Sequence, residues 1–121
     1  MAFARRGIGV GGFVKGDVVV VTFPFSDLST TKRRPAFVIA NVSDNELILA
    51  QITSRAFFDS YSVKIEPNDF ESGGLRTQSN IRANKLFTAE TSIIMYRAGK
   101  LKIEKTTETV KTIINMLTQD E

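Results

Sequence analysis

The side chains of this sequence best suited to chemistry are cations and hydroxyls next to apolar runs. Three consecutive bases, Lys32, Arg33 and Arg34, come directly before Pro35, and Thr-Ser-Arg at 53–55 closes another apolar run. Arginine and threonine donate hydrogen bonds to phosphate oxygens, and a guanidinium group stays charged at any physiological pH. The formal net charge of +3 and the pI of about 9.4 also favour a polyanionic partner. On charge alone, a solvated loop carrying ordinary surface bases is the simpler interpretation.

Histidine and cysteine are both absent from the chain. No Ser-His or Cys-His nucleophile pair, no histidine-based zinc site and no two-histidine ribonuclease site can therefore be built from it. The acids are scattered, and only Asp69 and Glu71 approach a cluster. We therefore expect neither a metal ion nor a cofactor.

Short apolar runs separated by turn residues predict a small β-rich domain. The predicted strands cover residues 15–23, 35–40, 46–53, 61–65, 80–87 and 92–96, and 66–78 is predicted to be turns. Glycine-rich composition predicts a flexible tail over residues 1–14, followed by a single domain over 15–118.

The C-terminal segment changes to a helical period. Ile103, Thr107, Val110, Ile114 and Leu117 fall on one face of a helix, and we expect that face to pack on the sheet. Together these elements predict a mainly β, strongly bent, barrel-like sheet with a C-terminal helix.

Nothing in the sequence indicates secretion or a membrane. Without cysteine there is no disulfide framework, and no apolar run approaches the ~18 residues of a membrane span. We therefore expect a cytoplasmic protein.

Four segments, taken in order, resemble the PemK/MazF family of toxins from type II toxin–antitoxin systems. They are the opening strand at 15–19, the Arg-Pro strand entry at 34–39, the strand end Ile-Thr-Ser at 52–54, and the stretch 74–88 before a closing helix. Each is short, and their order and spacing over most of the chain carry the resemblance. Residues 23–28 are more similar to the PemK-like branch.

The resemblance implies an SH3-like, PemK-type barrel of five to seven short strands that forms a homodimer. It implies cutting of single-stranded RNA without a metal, by attack of the 2′-OH, and neutralisation by a cognate antitoxin protein. The family's catalytic arginine and threonine correspond to Arg34 and Thr53, with Arg34 stabilising charge at the phosphate. The expected RNA-binding residues are Lys32, Arg33, Ser54, Arg55, Arg82 and Asn84.

Two departures from the family pattern concern acids. The stretch 28–33 has no acid where many members carry one, and Asn84 stands where another family acid falls. Asp27 and Asp59 are the nearest acids in the two loops, and the general base is not identified. Aromatic residues that border the same loops, and on which bases could stack, are Phe25, Phe57, Phe58 and Tyr61.

Two alternatives remain open at this stage. One is a non-catalytic toxin of the same fold that acts on a protein, like the CcdB toxins that poison DNA gyrase. The other is a degenerate nuclease that binds RNA without cutting it, which the missing acids favour. The Arg34-Pro35 and Ile52-Thr53 pieces favour the nuclease over the protein poison.

Overall fold

The computed structural model describes residues 12–24, 31–55 and 59–119. The chain forms seven strands and one helix: β1 Asp17–Pro24, β2 Thr31–Ser43, β3 Glu46–Thr53, β4 Ser62–Ile65, β5 Phe70–Gly73, β6 Ser79–Glu90, β7 Ile94–Leu101 and α1 Ile103–Thr118. Short 3₁₀ turns at Pro67–Asp69 and Thr91–Ile93 lead into β5 and β7. Within the described ranges, no helix has the length and apolar character of a membrane span.

All seven strands belong to one antiparallel sheet in the order β4-β6-β3-β2-β1-β7-β5. The two edge strands, β4 and β5, are neighbours in the chain and are joined only by the turn around Pro67–Asp69. The sheet must therefore curl until its two edges approach each other. This confirms the bent, barrel-like fold with a C-terminal helix.

Strand β1 lies near the middle of the sheet and is buried on both faces. Val18 belongs to one apolar cluster with Phe37, while Val19 and Val21 belong to a second cluster on the opposite face. All of these side chains are fully buried. Because both faces are covered, the strand is a continuous valine run and does not alternate between apolar and polar residues.

Strand β5 lies in the stretch that the sequence assigned to turns. It pairs with β7, where Gly73 is opposite Gly99. A Cβ added at Gly73 would lie 2.2 Å from the carbonyl oxygen of Ala98, and Gly73 has φ of +65°. The two backbones approach so closely that only glycine fits here. This contact anchors the loop that follows β5.

The helix presents a different face to the sheet from the one predicted. Thr106, Thr109 and Ile113 are buried, whereas Ile103, Ile114 and Leu117 are 71%, 51% and 68% exposed, and Thr107 is also exposed. The buried stripe precedes the predicted one by a single position, which corresponds to a rotation of about 100°.

The predicted helix face was wrong because two of the three buried helix residues are threonines, Thr106 and Thr109, and not apolar residues. The hydroxyl of Thr109 donates to the Lys105 carbonyl at 2.9 Å, so this side chain is buried without losing a hydrogen bond. The apolar pattern alone could not distinguish the two stripes.

The segment before β1 is attached to the sheet from Gly12 onward. The Val14 amide donates to Asp17 Oδ2, Asn41 donates to the Phe13 carbonyl, and Arg97 donates to the Gly12 carbonyl. Residues 12–14, which the composition assigned to a tail, therefore contact the domain. Residues 1–11 lie outside the described part of the chain.

Candidate nucleic-acid interface

A cleft of about 640 Å³ opens on the sheet where β2 begins and β3 ends. Its walls come from β1, β2, β3, β7, the loop between β5 and β6, and the first residue of β6. The lining residues are Val20, Lys32, Arg33, Arg34, Pro35, Ile52, Thr53, Ser54, Gly74, Leu75, Arg76, Thr77, Ser79, Tyr96, Arg97 and Ala98.

Arg34 and Thr53 both line this cleft, beside the end of the ladder between β2 and β3. Ala36 pairs with Gln51 and Phe37 with Ala50 in this antiparallel ladder. The ladder ends at this Ala36–Gln51 pair, and Arg34 and Thr53 each lie two residues beyond it on their strands. A phosphate group bound in the cleft would have both side chains at its border.

The hydroxyl of Thr53 is held by the turn that follows it. The Arg55 backbone amide donates to Thr53 Oγ1 at 3.2 Å, and the Asn80 side chain donates to the Arg55 carbonyl at 2.9 Å. Because Oγ1 acts as an acceptor toward Arg55, the proton of the hydroxyl is left for another acceptor. This arrangement can direct a donor into the cleft beside Arg34.

The charge of the cleft has one sign. Five of its lining residues are basic: Lys32, Arg33, Arg34, Arg76 and Arg97. None of the described lining residues is an acid. Cations gathered in a concave surface attract polyanions and raise their local concentration.

Arg97, one of the cleft cations, has a buried counter-ion. Asp17, only 2% exposed, lies 3.1 Å from Arg97 and 3.8 Å from Lys100. The Arg97 guanidinium also lies 5.3 Å from the centre of the Phe13 ring. Much of its charge therefore stabilises the junction between β1, β7 and the preceding segment.

Three of the predicted RNA-binding residues lie outside the cleft lining. Arg55 is exposed one residue beyond Ser54, and Asn84 is exposed on β6. The side chain of Arg82 is 12% exposed and forms an ion pair with Asp59 at 3.5 Å. The cleft therefore brings together Lys32, Arg33, Arg34, Thr53 and Ser54 from the predicted set.

Among the other residues named from the sequence, Asp27, Phe25, Phe57 and Phe58 lie outside the described residues. Tyr61 does not line the cleft, and its hydroxyl donates to Gln119 at 3.0 Å. Asp59, the other acid considered as a base, is occupied by Arg82.

The sequence did not single out Tyr96 and Arg97, and it noted Arg76 only as a widely spaced base. Tyr96 and Arg97 lie on β7, and Arg76 lies in the loop after β5. No local motif marks them, because they reach the cleft only through the pairing of β7 with β1 and of β5 with β7.

The described acids are too dispersed to suggest a metal site. In the part of the chain that the structure describes, no group of three or more His, Cys, Asp or Glu side chains is placed to hold an ion. A hard cation such as Mg²⁺ requires oxygen ligands, usually carboxylates, and no described acid lines the cleft.

Solved structures show which proteins share this fold. The complex of MazE with MazF from Deinococcus radiodurans superposes with a TM-score of 0.72 at 16% identity, covering 89% of this chain and 97% of that chain. A mycobacterial endoribonuclease in complex with its cognate antitoxin gives a TM-score of 0.69 at 12% identity, covering 90% and 98%. At these identities the similarity establishes the fold alone. A search of curated proteins by sequence finds no match.

The sequence itself matches a family model over residues 14–117, which is nearly the whole chain. The match spans all seven strands and almost all of the helix, including both Arg34 and Thr53. The chain therefore belongs to the family of PemK-like, MazF-like toxins of type II toxin–antitoxin systems.

Proposed function

We propose that this toxin is an endoribonuclease that cuts single-stranded RNA in the cationic cleft without a metal ion. The observation that supports this most directly is that Arg34 and Thr53 line one cleft together with four further bases and no described acid. A phosphate held there receives a planar, permanently charged donor from one strand and a hydroxyl donor from the next.

The reaction requires the neighbouring 2′-OH to attack the phosphorus. A bond forms between the 2′ oxygen and phosphorus, and the bond to the 5′ oxygen breaks. The products are a 2′,3′-cyclic phosphate and a 5′-hydroxyl. Because DNA lacks the 2′-OH, it is not cut.

Arg34 and Thr53 act on the charge that develops during this attack. Arg34 donates to the non-bridging phosphate oxygens as they gain charge, and Thr53 donates its hydroxyl to the same group. Lys32, Arg33 and Ser54 contact neighbouring phosphates. The described residues contribute no carboxylate to the cleft, so the proposal assigns no general base.

The remaining predicted contacts have weaker support. Arg55 follows Ser54 directly and can meet the next phosphate outside the cleft. The mostly buried guanidinium of Arg82 and the distant Asn84 are not required by the proposal.

The proposal includes a homodimer that acts in the cytoplasm and a cognate antitoxin. An antitoxin is supported by family membership and by the antitoxin complexes among the structural neighbours. A second copy of the chain is supported by the exposed apolar side chains on one face of α1, namely Ile103, Ile114 and Leu117. Such a face is stabilised when it is removed from water.

The test is incubation of the purified protein with a long single-stranded RNA in EDTA, followed by mapping of the RNA ends. We expect discrete cuts with 2′,3′-cyclic phosphate ends, and no cutting of the DNA of the same sequence. Arg34→Ala prepared in parallel controls for contaminating nucleases. Activity that disappears in EDTA and returns with magnesium would contradict the proposal.

A second candidate is an RNA-binding toxin that no longer cuts. The absence of an acid among the described lining residues favours it, since nothing identified there would take the 2′-OH proton. In the same assay this protein would bind RNA and leave it intact. A toxin that acts only on a protein would neither bind nor cut.

A further inference from the structure

The cleft contains an exposed aromatic ring whose position relative to Arg34 is set by strand pairing. Val20 on β1 pairs with Pro35 on β2 and with Tyr96 on β7, so these residues form one row across three strands. Arg34 immediately precedes Pro35 along β2 and lies in the adjacent row, opposite Val21. All four residues line the cleft.

The ring of Tyr96 is left in water by the fold. Tyr96 is 52% exposed, whereas Val20 beside it is 8% exposed. Of the large apolar or aromatic side chains that are exposed in the described chain, only Tyr96 lines the cleft. An exposed aromatic ring in a cationic groove is the feature on which single-stranded bases stack.

Neither the neighbouring Arg97 nor any other described residue is paired with the Tyr96 side chain. Arg97 is directed to Asp17 at 3.1 Å and to the Gly12 carbonyl at 3.1 Å. No described residue forms a hydrogen bond with the Tyr96 hydroxyl, and Tyr96 takes part in no described ring contact. Among the described residues, no hydrogen bond or ring contact accounts for the position of this ring.

We propose that Tyr96 is the stacking platform of the cleft and holds an unstacked base of single-stranded RNA. This inference rests on the proposed RNA-binding function and extends it by assigning a base contact. Two strand spacings separate Tyr96 from Pro35, about 10 Å between backbones. Tyr96 therefore stacks a base close to the phosphate held at Arg34.

The composition of the protein makes this contact observable. The chain has two tyrosines and no tryptophan. In Tyr61→Phe, Tyr96 is the only tyrosine that emits, and in Tyr96→Phe the only emitter is Tyr61. Tyr61 lies outside the cleft, so the two variants form a matched pair.

The experiment titrates both variants with a 2′-O-methyl RNA, which cannot be cut. Binding is followed separately by the anisotropy of a fluorescent label on the RNA. When RNA saturates the protein, we expect the tyrosine emission to be quenched in Tyr61→Phe and to change little in Tyr96→Phe. The Tyr96→Phe titration also provides the correction for light absorbed by the RNA. A ribose-phosphate strand lacking bases should not quench either variant.

Affinity provides a second readout. Tyr96→Ala should weaken RNA binding roughly 5- to 150-fold, while Tyr96→Phe keeps the ring and should bind within about twofold of the parent. Tyr61→Ala is the control and should leave affinity unchanged.

The stacking assignment would be overturned if RNA binds without changing the Tyr96 emission and Tyr96→Ala binds RNA with the parental affinity. The proposed function would still stand in that case. Failure of the parent protein to bind RNA at all would overturn both. Quenching by the strand without bases would show a change in the protein that does not involve stacking, and it too would count against the inference.

Discussion

The carboxylate of Asp17 lies 3.1 Å from the guanidinium of Arg97 and joins the start of β1 to the middle of β7. Asp17 is 2% exposed, and it also accepts a hydrogen bond from the Val14 amide at 2.9 Å. A buried carboxylate is stable only when it is paired and hydrogen-bonded. The contact therefore secures the strand that forms the floor of the cleft.

Asp17→Asn should lower the free energy of unfolding by about 1–3 kcal/mol, because a charge-assisted contact is lost while the shape is kept. Denaturant unfolding followed by circular dichroism measures this change. Glu108→Gln, which breaks the exposed pair with Lys105, is the control and should change stability by less than about 0.5 kcal/mol. Equal stabilities for the parent and Asp17→Asn would contradict the structural role.

Arg34→Ala should lower the cleavage rate about 10²- to 10³-fold, because a donor to the developing phosphorane charge is removed. Arg34→Lys should restore only part of the rate, since an ammonium group lacks the planar fork. Single-turnover cleavage at saturating protein measures this rate. Arg33→Ala should act mainly on RNA affinity, so loss of cutting in Arg33→Ala with normal cutting in Arg34→Ala would reverse the assignment.

Thr53→Val should also slow cutting, since it keeps the branched shape and removes the hydroxyl. Thr53→Ser retains the hydroxyl and should cut at close to the parental rate. Both variants should fold, because Thr53 is only half-buried and its one described hydrogen bond is to the exposed Arg55 amide. Rates and melting curves measured together separate a chemical effect from a folding effect. Normal cutting by Thr53→Val would remove Thr53 from the site.

RNA affinity should fall steeply with salt, because each phosphate neutralised in the cleft releases condensed counterions. For a single strand, the slope of log K against log salt is about −0.7 per phosphate. Arg76→Ala should therefore weaken binding and reduce the slope by about 0.7. Lys64, exposed on β4 outside the cleft, supplies the control variant Lys64→Ala, whose slope should equal that of the parent. A flat salt dependence would refute an electrostatic cleft.

Leu117→Lys should shift the protein from dimer toward monomer, because it places a charge on the exposed apolar face of α1. Light scattering over a range of concentrations measures the mass. The chain mass is 13.4 kDa, so a parent protein that stays at this value at every concentration would refute the dimer. Lys111→Glu changes charge on the same helix at an exposed polar position and is the control.

The sequence by itself determined most of the element types and the two residues at the centre of the proposed site. The valine run at 18–21 and the apolar runs of β2 and β3 predict strands because their local patterns match the burial they receive. The absence of histidine excludes whole classes of catalysis without reference to any coordinates. Arg34 and Thr53 could be named because they stand next to strand boundaries within a recognisable order of segments.

Tertiary structure alone decided which side chains share the cleft. Tyr96 and Arg76 reach it through pairings between strands far apart in the sequence, and such register cannot be derived from a local pattern. The same long-range packing buries Arg82 against Asp59 and turns Thr109 toward the sheet while Leu117 stays exposed. Cations look alike in a sequence, and only the curvature of the sheet determines which of them line the same cleft.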